Sequence, residues 1–176
     1  IKKLMIGNKI YKLAKRLFPI NRSITGSGTR KTLEILKEHN KNLKIKSIPS
    51  GSKVFDWVIP YEWNVKDAWI KDVKNKKVID IKKNNLHLMS YSIPVSKKMK
   101  LKNLKNHLYS IKAKPNAIPY VTSYYEKKWG FCLSYNQLKK LKDKFYTVKI
   151  DSELKKGFLN YGEILIKGKS KKEILL

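Results

Sequence analysis

"VFDWVIPYEWNVKDAWI", residues Val54 to Ile70, is dense in β-branched and aromatic side chains, with Trp57, Trp63 and Trp69 within thirteen positions. Such residues favour the pleated, half-buried surface of a sheet. Pro60 cannot donate to a ladder, so "KVFDWVIP" is expected to be one strand that ends there. From Ala68 the pattern predicts a hairpin: Ala68 to Val73, a polar turn, then Val78 to Ile81. Two carboxylates, Asp56 and Glu62, stand among the tryptophans. They read either as an acid–base pair or as acceptors for indole and backbone N–H groups at a strand bend.

Toward the N-terminus the period changes. Ile10, Leu13, Ala14 and Leu17 recur at helical spacing, and Pro19 ends that helix. After the glycine-rich "NRSITGSGT" a second helix is expected over Thr29 to Asn40. It buries Leu33 and Leu36, and Ser27 or Thr29 caps it. "KIKSIP" then alternates as a strand.

Toward the C-terminus, "NLHLMSYSIPV" reads as a strand and "MKLKNLKNHLYSI" as a helix with Leu101, Leu104 and Leu108 on one face. "AIPYVTSYY" and "WGFCLS" are extended. "SYNQLKKL" is a helix with a capping box, Ser134 as cap and Gln137 three residues on. "FYTVKI" and "YGEILIKG" are strands, and "KEILL" begins another. Helices first, then a strand-rich middle, then strands again is an α+β order.

The chain has 176 residues and 41% apolar side chains, enough for a buried core. Lys+Arg number 41 against 13 Asp+Glu, a formal charge of +28. An anionic partner, nucleic acid or acidic lipid, is one reading. The other is compositional. Lysine, asparagine, isoleucine, tyrosine and phenylalanine are the residues of A- and T-rich codons, and lysine here is spread along the whole chain. Only Arg16, Arg22 and Arg30 carry the planar fork suited to carboxylates and phosphates. No apolar run reaches the roughly 20 residues that cross a bilayer, and the N-terminus lacks a signal-peptide h-region. The absence of an initiator Met points to a piece of a longer protein. One cysteine fits a reducing, cytoplasmic setting.

Chemistry-bearing residues are few. His39, His87 and His107 are far apart, with no metal-ligand spacing. His39 and His107 are expected to be exposed beside lysines, and His87 to be a hydrogen-bonded structural residue. Cys132, between Phe131 and Leu133, reads as a small core hydrophobe rather than a nucleophile. Tyr124, Tyr125, Trp129 and Phe131 form either a base-stacking platform or a core strand. Arg22 holds a carboxylate or carbonyl at a cleft edge, or else caps a helix end.

Taken in order, "NRSITGSGTRKTLEIL", "VFDWVIPYEWNVKDAWI", "NLHLMSYSIPV", "IPYVTSYYEKKWGFCLSYNQL" and "LNYGEILIKG" resemble a bacterial aminopeptidase-like family. That family includes polysaccharide-biosynthesis proteins and is related to zinc-dependent exopeptidases. The resemblance implies the N-terminal helices and first strands of a zinc-exopeptidase-like α/β domain (residues 1–55, resumed at 148–176), with a small mainly β domain inserted at 56–147. It implies a winged-helix domain, a His-x-Cys-His-Pro block and further zinc ligands beyond Leu176. The chain itself would then hold neither catalytic residues nor metal ligands. The zinc of the full-length parent and its peptide or amide substrate are carried by resemblance, and no membrane is implied. On this reading Arg22, Ser23, Thr25, Tyr125 and Trp129 are substrate-cleft candidates. A basic nucleic-acid-binding module is the alternative, and a protein-interaction module a third.

Overall fold

The computed structural model describes residues 2–142 and 144–169. Strand β4, Glu62–Lys71, lies at the centre of a four-stranded antiparallel sheet. It pairs with β5, Lys77–Asp80, on one side and with β9, Phe145–Lys155, on the other. Strand β6, Val95–Lys100, pairs with the far edge of β9. Alternation sets the faces: Ala68, Ile70, Tyr146, Val148 and Ile150 point inward and are buried. Trp63 is buried too, although it is odd-numbered and Ala68 even. A register shift between Val65 and Asp67 reconciles them, because one extra residue turns the strand over.

The inner face packs on Leu88, Tyr91, Leu104, Trp129, Phe131 and Leu133. Trp63 stacks on Tyr91 at 5.8 Å, and Tyr124 meets Tyr91 edge-on at 5.1 Å. The aromatic stretch is therefore largely core. Phe131 is fully enclosed, and truncating it to Ala would cost about 3–5 kcal/mol. Two short strands, β7 (Leu108–Tyr109) and β8 (Phe131–Cys132), pair in parallel beside it. The expected capping box is present: the Ser134 hydroxyl accepts from Gln137 N–H and the Gln137 side chain from Ser134 N–H, opening helix α4, Tyr135–Lys139.

A second layer closes the fold. Strand β1, Lys44–Pro49, pairs antiparallel with β10, Phe158–Glu163, from Lys44↔Glu163 to Pro49↔Phe158. Helix α2, Ser27–His39, lies on this ribbon with Ile35 buried, while Leu33 and Leu36 are half-buried. The four-stranded sheet runs through position 148, the expected point of return, as far as Lys155. The chain is an α+β fold.

Four local expectations are corrected. "KVFDWVIP" is a hairpin of β2 (Lys53–Val54) and β3 (Trp57–Val58), turned by Phe55 at φ 51°. "NLHLMSYSIPV" is a 3-10 turn and a loop, started by the Asn84 side chain accepting from Leu86 N–H and bent where Tyr91 takes φ 65° to drive its ring inward. The helix at "MKLKNLKNHLYSI" shrinks to α3, Leu101–Leu104, and a 3-10 turn. Pairing with β9 claims Met99 and Lys100, and pairing with β8 claims Leu108. Helix α1, Lys2–Leu17, forms as expected, but its stripe is uncovered: Ile10 is 64% exposed, and Leu13 and Leu17 are half-buried. The strand expected at "KEILL" lies outside the described residues.

Candidate functional site

The loop Asn21–Gly26 enters α2 between the two layers. Gly26 sits at φ 102°, and a Cβ there would lie 2.3 Å from Trp63 O, so only glycine fits. The first helical N–H, on Ser27, is not capped by Ser27 or Thr29 as expected from sequence. It donates to Asn64 Oδ1 at 2.8 Å, 37 residues away, while Thr29 Oγ1 donates to Ser23 O. The cap is tertiary: β4 brings Asn64 against the helix N-terminus.

Thr25 fixes the loop to the core. Its hydroxyl accepts Trp63 N–H at 3.1 Å and meets Tyr91 Oη at 2.6 Å; Tyr91 Oη donates to Tyr61 O at 3.0 Å. Since the Tyr91 proton is committed to Tyr61, Thr25 donates to Tyr91. Burial pushes the Tyr91 phenol up to about 12, so it stays neutral. Ser23 Oγ lies 2.6 Å from Ser90 Oγ. Ser23, Thr25, Ser27, Trp63 and Asn64 are among the residues around a polar cavity of about 30 Å³, room for one water.

Beside it opens a larger cleft of about 620 Å³, between the β1–β10 ribbon and the β4–β9 edge. Its floor is an ion pair. Arg30 Nη1 donates to Glu62 Oε2 at 2.8 Å and Nη2 to Oε1 at 2.7 Å. Glu62 accepts further bonds from Asn64 Nδ2 at 2.9 Å and Phe158 N–H at 3.3 Å. Arg30 Nη1 also donates to Asn160 Oδ1, and Asn160 Nδ2 to Ser47 Oγ. The Glu62 side chain is 6% exposed and that of Arg30 is 37% exposed. The Arg30 bond, opposed by burial and helped by Asn64 and Phe158, lowers the Glu62 carboxyl to about 2. Glu62 is a fixed anion, not a proton shuttle. Asp56 is exposed in the β2–β3 hairpin, so the acid–base pairing of the two carboxylates is set aside.

The sequence candidates scatter. Ser23 and Thr25 line the small cavity. Arg22 Nη1 donates to Leu17 O at 2.9 Å and caps α1. Tyr125 is exposed, with its hydroxyl donating to Val58 O. Trp129 is buried, stacked on His107 at 3.6 Å with Lys97 over its ring. None of the five is among the residues that line the larger cleft. Carboxylate forks belong to Arg30 and Arg16, while Arg22 takes the helix-cap alternative. The signal lay in the sequence: three arginines among so many lysines, and each makes a specific contact, Arg16 bidentate to Glu38 included.

Burial pushes the Cys132 thiol up to about 12. His87 Nδ1–H donates to Cys132 O at 2.8 Å, and burial holds its pKa down, so it is a neutral structural residue. His107 is half-buried rather than exposed, held by the Trp129 stack. Among the described residues no three His, Cys, Asp or Glu side chains converge, so they do not fit a zinc site. Trp129 and Phe131 lie in the core and offer no stacking platform for bases. No helix among the described residues is long and apolar enough to cross a membrane.

A family described as "Domain of unknown function (DUF2172)" matches residues 62–153, nearly the span of the four-stranded sheet. Over 170 residues, 97% of this chain, the sequence is 52% identical to a Clostridium acetobutylicum protein named "Putative polysaccharide biosynthesis protein with aminopeptidase-like domain". The crystal structure of a "putative peptidase" from Clostridium acetobutylicum superposes with a TM-score of 0.86 at 52% identity, covering 90% of this chain. The chain spans 39% of the length of the first and 37% of the second.

Proposed function

The chain belongs to the DUF2172 family, and from that premise and its likeness to a protein named for an aminopeptidase-like domain we propose that it is part of a hydrolase that removes residues from peptide or amide substrates. The observation that carries this is the β1–β10 pairing. Residues 50–157 leave the ribbon after Pro49 and return to it at Phe158, so the family-matched segment is an excursion from an outer layer. That is the organisation expected of a small domain inserted in a peptidase-like one; the resemblance puts its ends near 56 and 147, whereas the ribbon is left after Pro49 and rejoined at Phe158. Identity of 52% to an aminopeptidase-like protein along nearly the whole chain supports the same reading.

In this proposal a zinc ion would be held by residues of the longer protein, where it would supply an activated water and a Lewis acid. The described residues do three other things. Arg30 and Glu62 lock α2, β4 and β10 together. Asn64 fixes the entry to α2. The cleft between the layers receives substrate. The buried single cysteine fits a reducing, cytoplasmic setting. The test is release of N-terminal residues from peptides by the longer protein that contains this chain. Activity should vanish on dialysis against a chelator and return with zinc. Chelator-resistant hydrolysis would remove the zinc assignment, and intact peptides would remove the hydrolase.

A further inference from the structure

The 620 Å³ cleft holds more donor capacity than the fold uses. A guanidinium carries five N–H groups. Arg30 commits three of them, two to Glu62 and one to Asn160. The Nε–H and one Nη2–H have no partner among the described residues, and the side chain is 37% exposed. A carboxylate entering the cleft can take both without disturbing the bridge beneath. Glu62 cannot move to take them, since both its oxygens are already engaged and nearly enclosed.

The charged lining is balanced, Arg30 and Lys155 against Glu62 and Glu153, so an incoming anion gains by taking the open Arg30 fork and drawing Lys155 from Glu153. Lys155 stands opposite Glu62 across the β4–β9 ladder and lines the same cleft. Its bond to Glu153, 2.9 Å, joins two side chains that are each more than half exposed, so Lys155 is easily redirected. The hydroxyls of Ser27 and Ser47 line the other walls, and Asn160 ties Ser47 to Arg30. Phe158 supplies one apolar surface. The lining thus holds a fork, a second cation that Glu153 now pairs, and uncharged polar groups.

We propose that this cleft binds the C-terminal carboxylate of a short peptide, with Arg30 as the forked donor and Lys155 as the supporting charge. The proposal rests on the peptidase-like reading only for the ligand's being a peptide; the recognition of a carboxylate stands on the cleft. The experiment is a titration of the 15N-labelled 176-residue chain, read at the Arg30 Nε–H resonance. Glycylglycine, glycylglycinamide, glycine and acetate are the separate arms. Glycylglycine should give a saturable shift, and the amide should bind about tenfold more weakly for want of the charge-assisted pair. Lys155→Gln, which leaves the Arg30–Glu62 bridge whole, should weaken binding about threefold. Arg30→Lys should abolish it; if that variant fails to fold, the wild-type resonance and Lys155→Gln decide. Equal binding of the amide, or no shift at all, overturns carboxylate recognition whether or not the longer protein cleaves peptides. Glycine or acetate binding as tightly as glycylglycine overturns the peptide assignment.

Discussion

The Arg30 guanidinium grips the Glu62 carboxylate through two hydrogen bonds of 2.8 and 2.7 Å, joining a helix of the outer layer to an interior strand of the inner sheet. The partners are unequal, since Glu62 is nearly enclosed while Arg30 reaches solvent. Removing one partner strands the other, and only the buried one suffers.

Arg30→Met should therefore destabilise by about 2–4 kcal/mol, and Glu62→Gln by about half as much. For a chain of this size the first is a fall in Tm of about 5–10 °C. Thermal melts at neutral pH measure both. Equal losses, or a larger loss for Glu62→Gln, would contradict the unequal burial.

Acid should loosen the same junction. The Glu62 carboxyl is lowered to about 2 from an ordinary value of 4.5. A depressed carboxyl contributes stability that is complete above the unfolded value and lost as pH falls toward the folded one. The window is thus about pH 4.5 down to 2, and the loss is about 2 kcal/mol after allowance for the exposed guanidinium. His87, held below its ordinary 6.5 by burial, adds a loss that begins as pH drops through 6.5. Denaturant midpoints against pH should show both, and Glu62→Gln should flatten the lower part of the curve only.

Much of the fold was legible because its signals are local. The β4–β5 hairpin, the Ser134 capping box, the helical spacing of α1 and the core character of Phe131 and Leu133 follow from neighbours within a few residues. What was missed depends on distant partners. Asn64 caps a helix 37 residues earlier in sequence, so no cap pattern near Ser27 announces it. Met99 and Leu108 left the expected helix because strands elsewhere offered ladders. The cleft escaped notice for the same reason: Arg30, Glu62 and Asn160 are distant in sequence and meet only when the ribbon closes on the sheet. The cleft candidates named by resemblance lie apart: Ser23 and Thr25 at the small cavity, Tyr125 against the β2–β3 hairpin and Trp129 in the core.

Gly26 should not tolerate a side chain. Gly26→Ala combines a left-handed φ with a clash against Trp63 O, so a loss of about 2–4 kcal/mol is expected. Gly51→Ala is the control: its φ is 89° but a Cβ there meets nothing, so only strain of about 1 kcal/mol applies. Similar melting temperatures for the two variants would dismiss the close approach of the α2 entry loop to β4.

Cys132 should be inert. It is fully enclosed, and its thiol is pushed up to about 12 by burial. Under native conditions a thiol reagent should label it only on the timescale of unfolding, and denaturant should make labelling fast. Rapid labelling of the folded chain would show that the β7–β8 region opens readily.

On the proposed function, this chain contributes cleft and scaffold to a peptidase-like hydrolase rather than the reacting groups. The measurement is mass spectrometry of a defined peptide mixture after parallel incubation with the 176-residue chain and with the longer protein that contains it. Peptides should be shortened stepwise from the N-terminus by the longer protein and left untouched by the chain alone. Stepwise shortening by the 176-residue chain itself, or intact peptides with both, would contradict it.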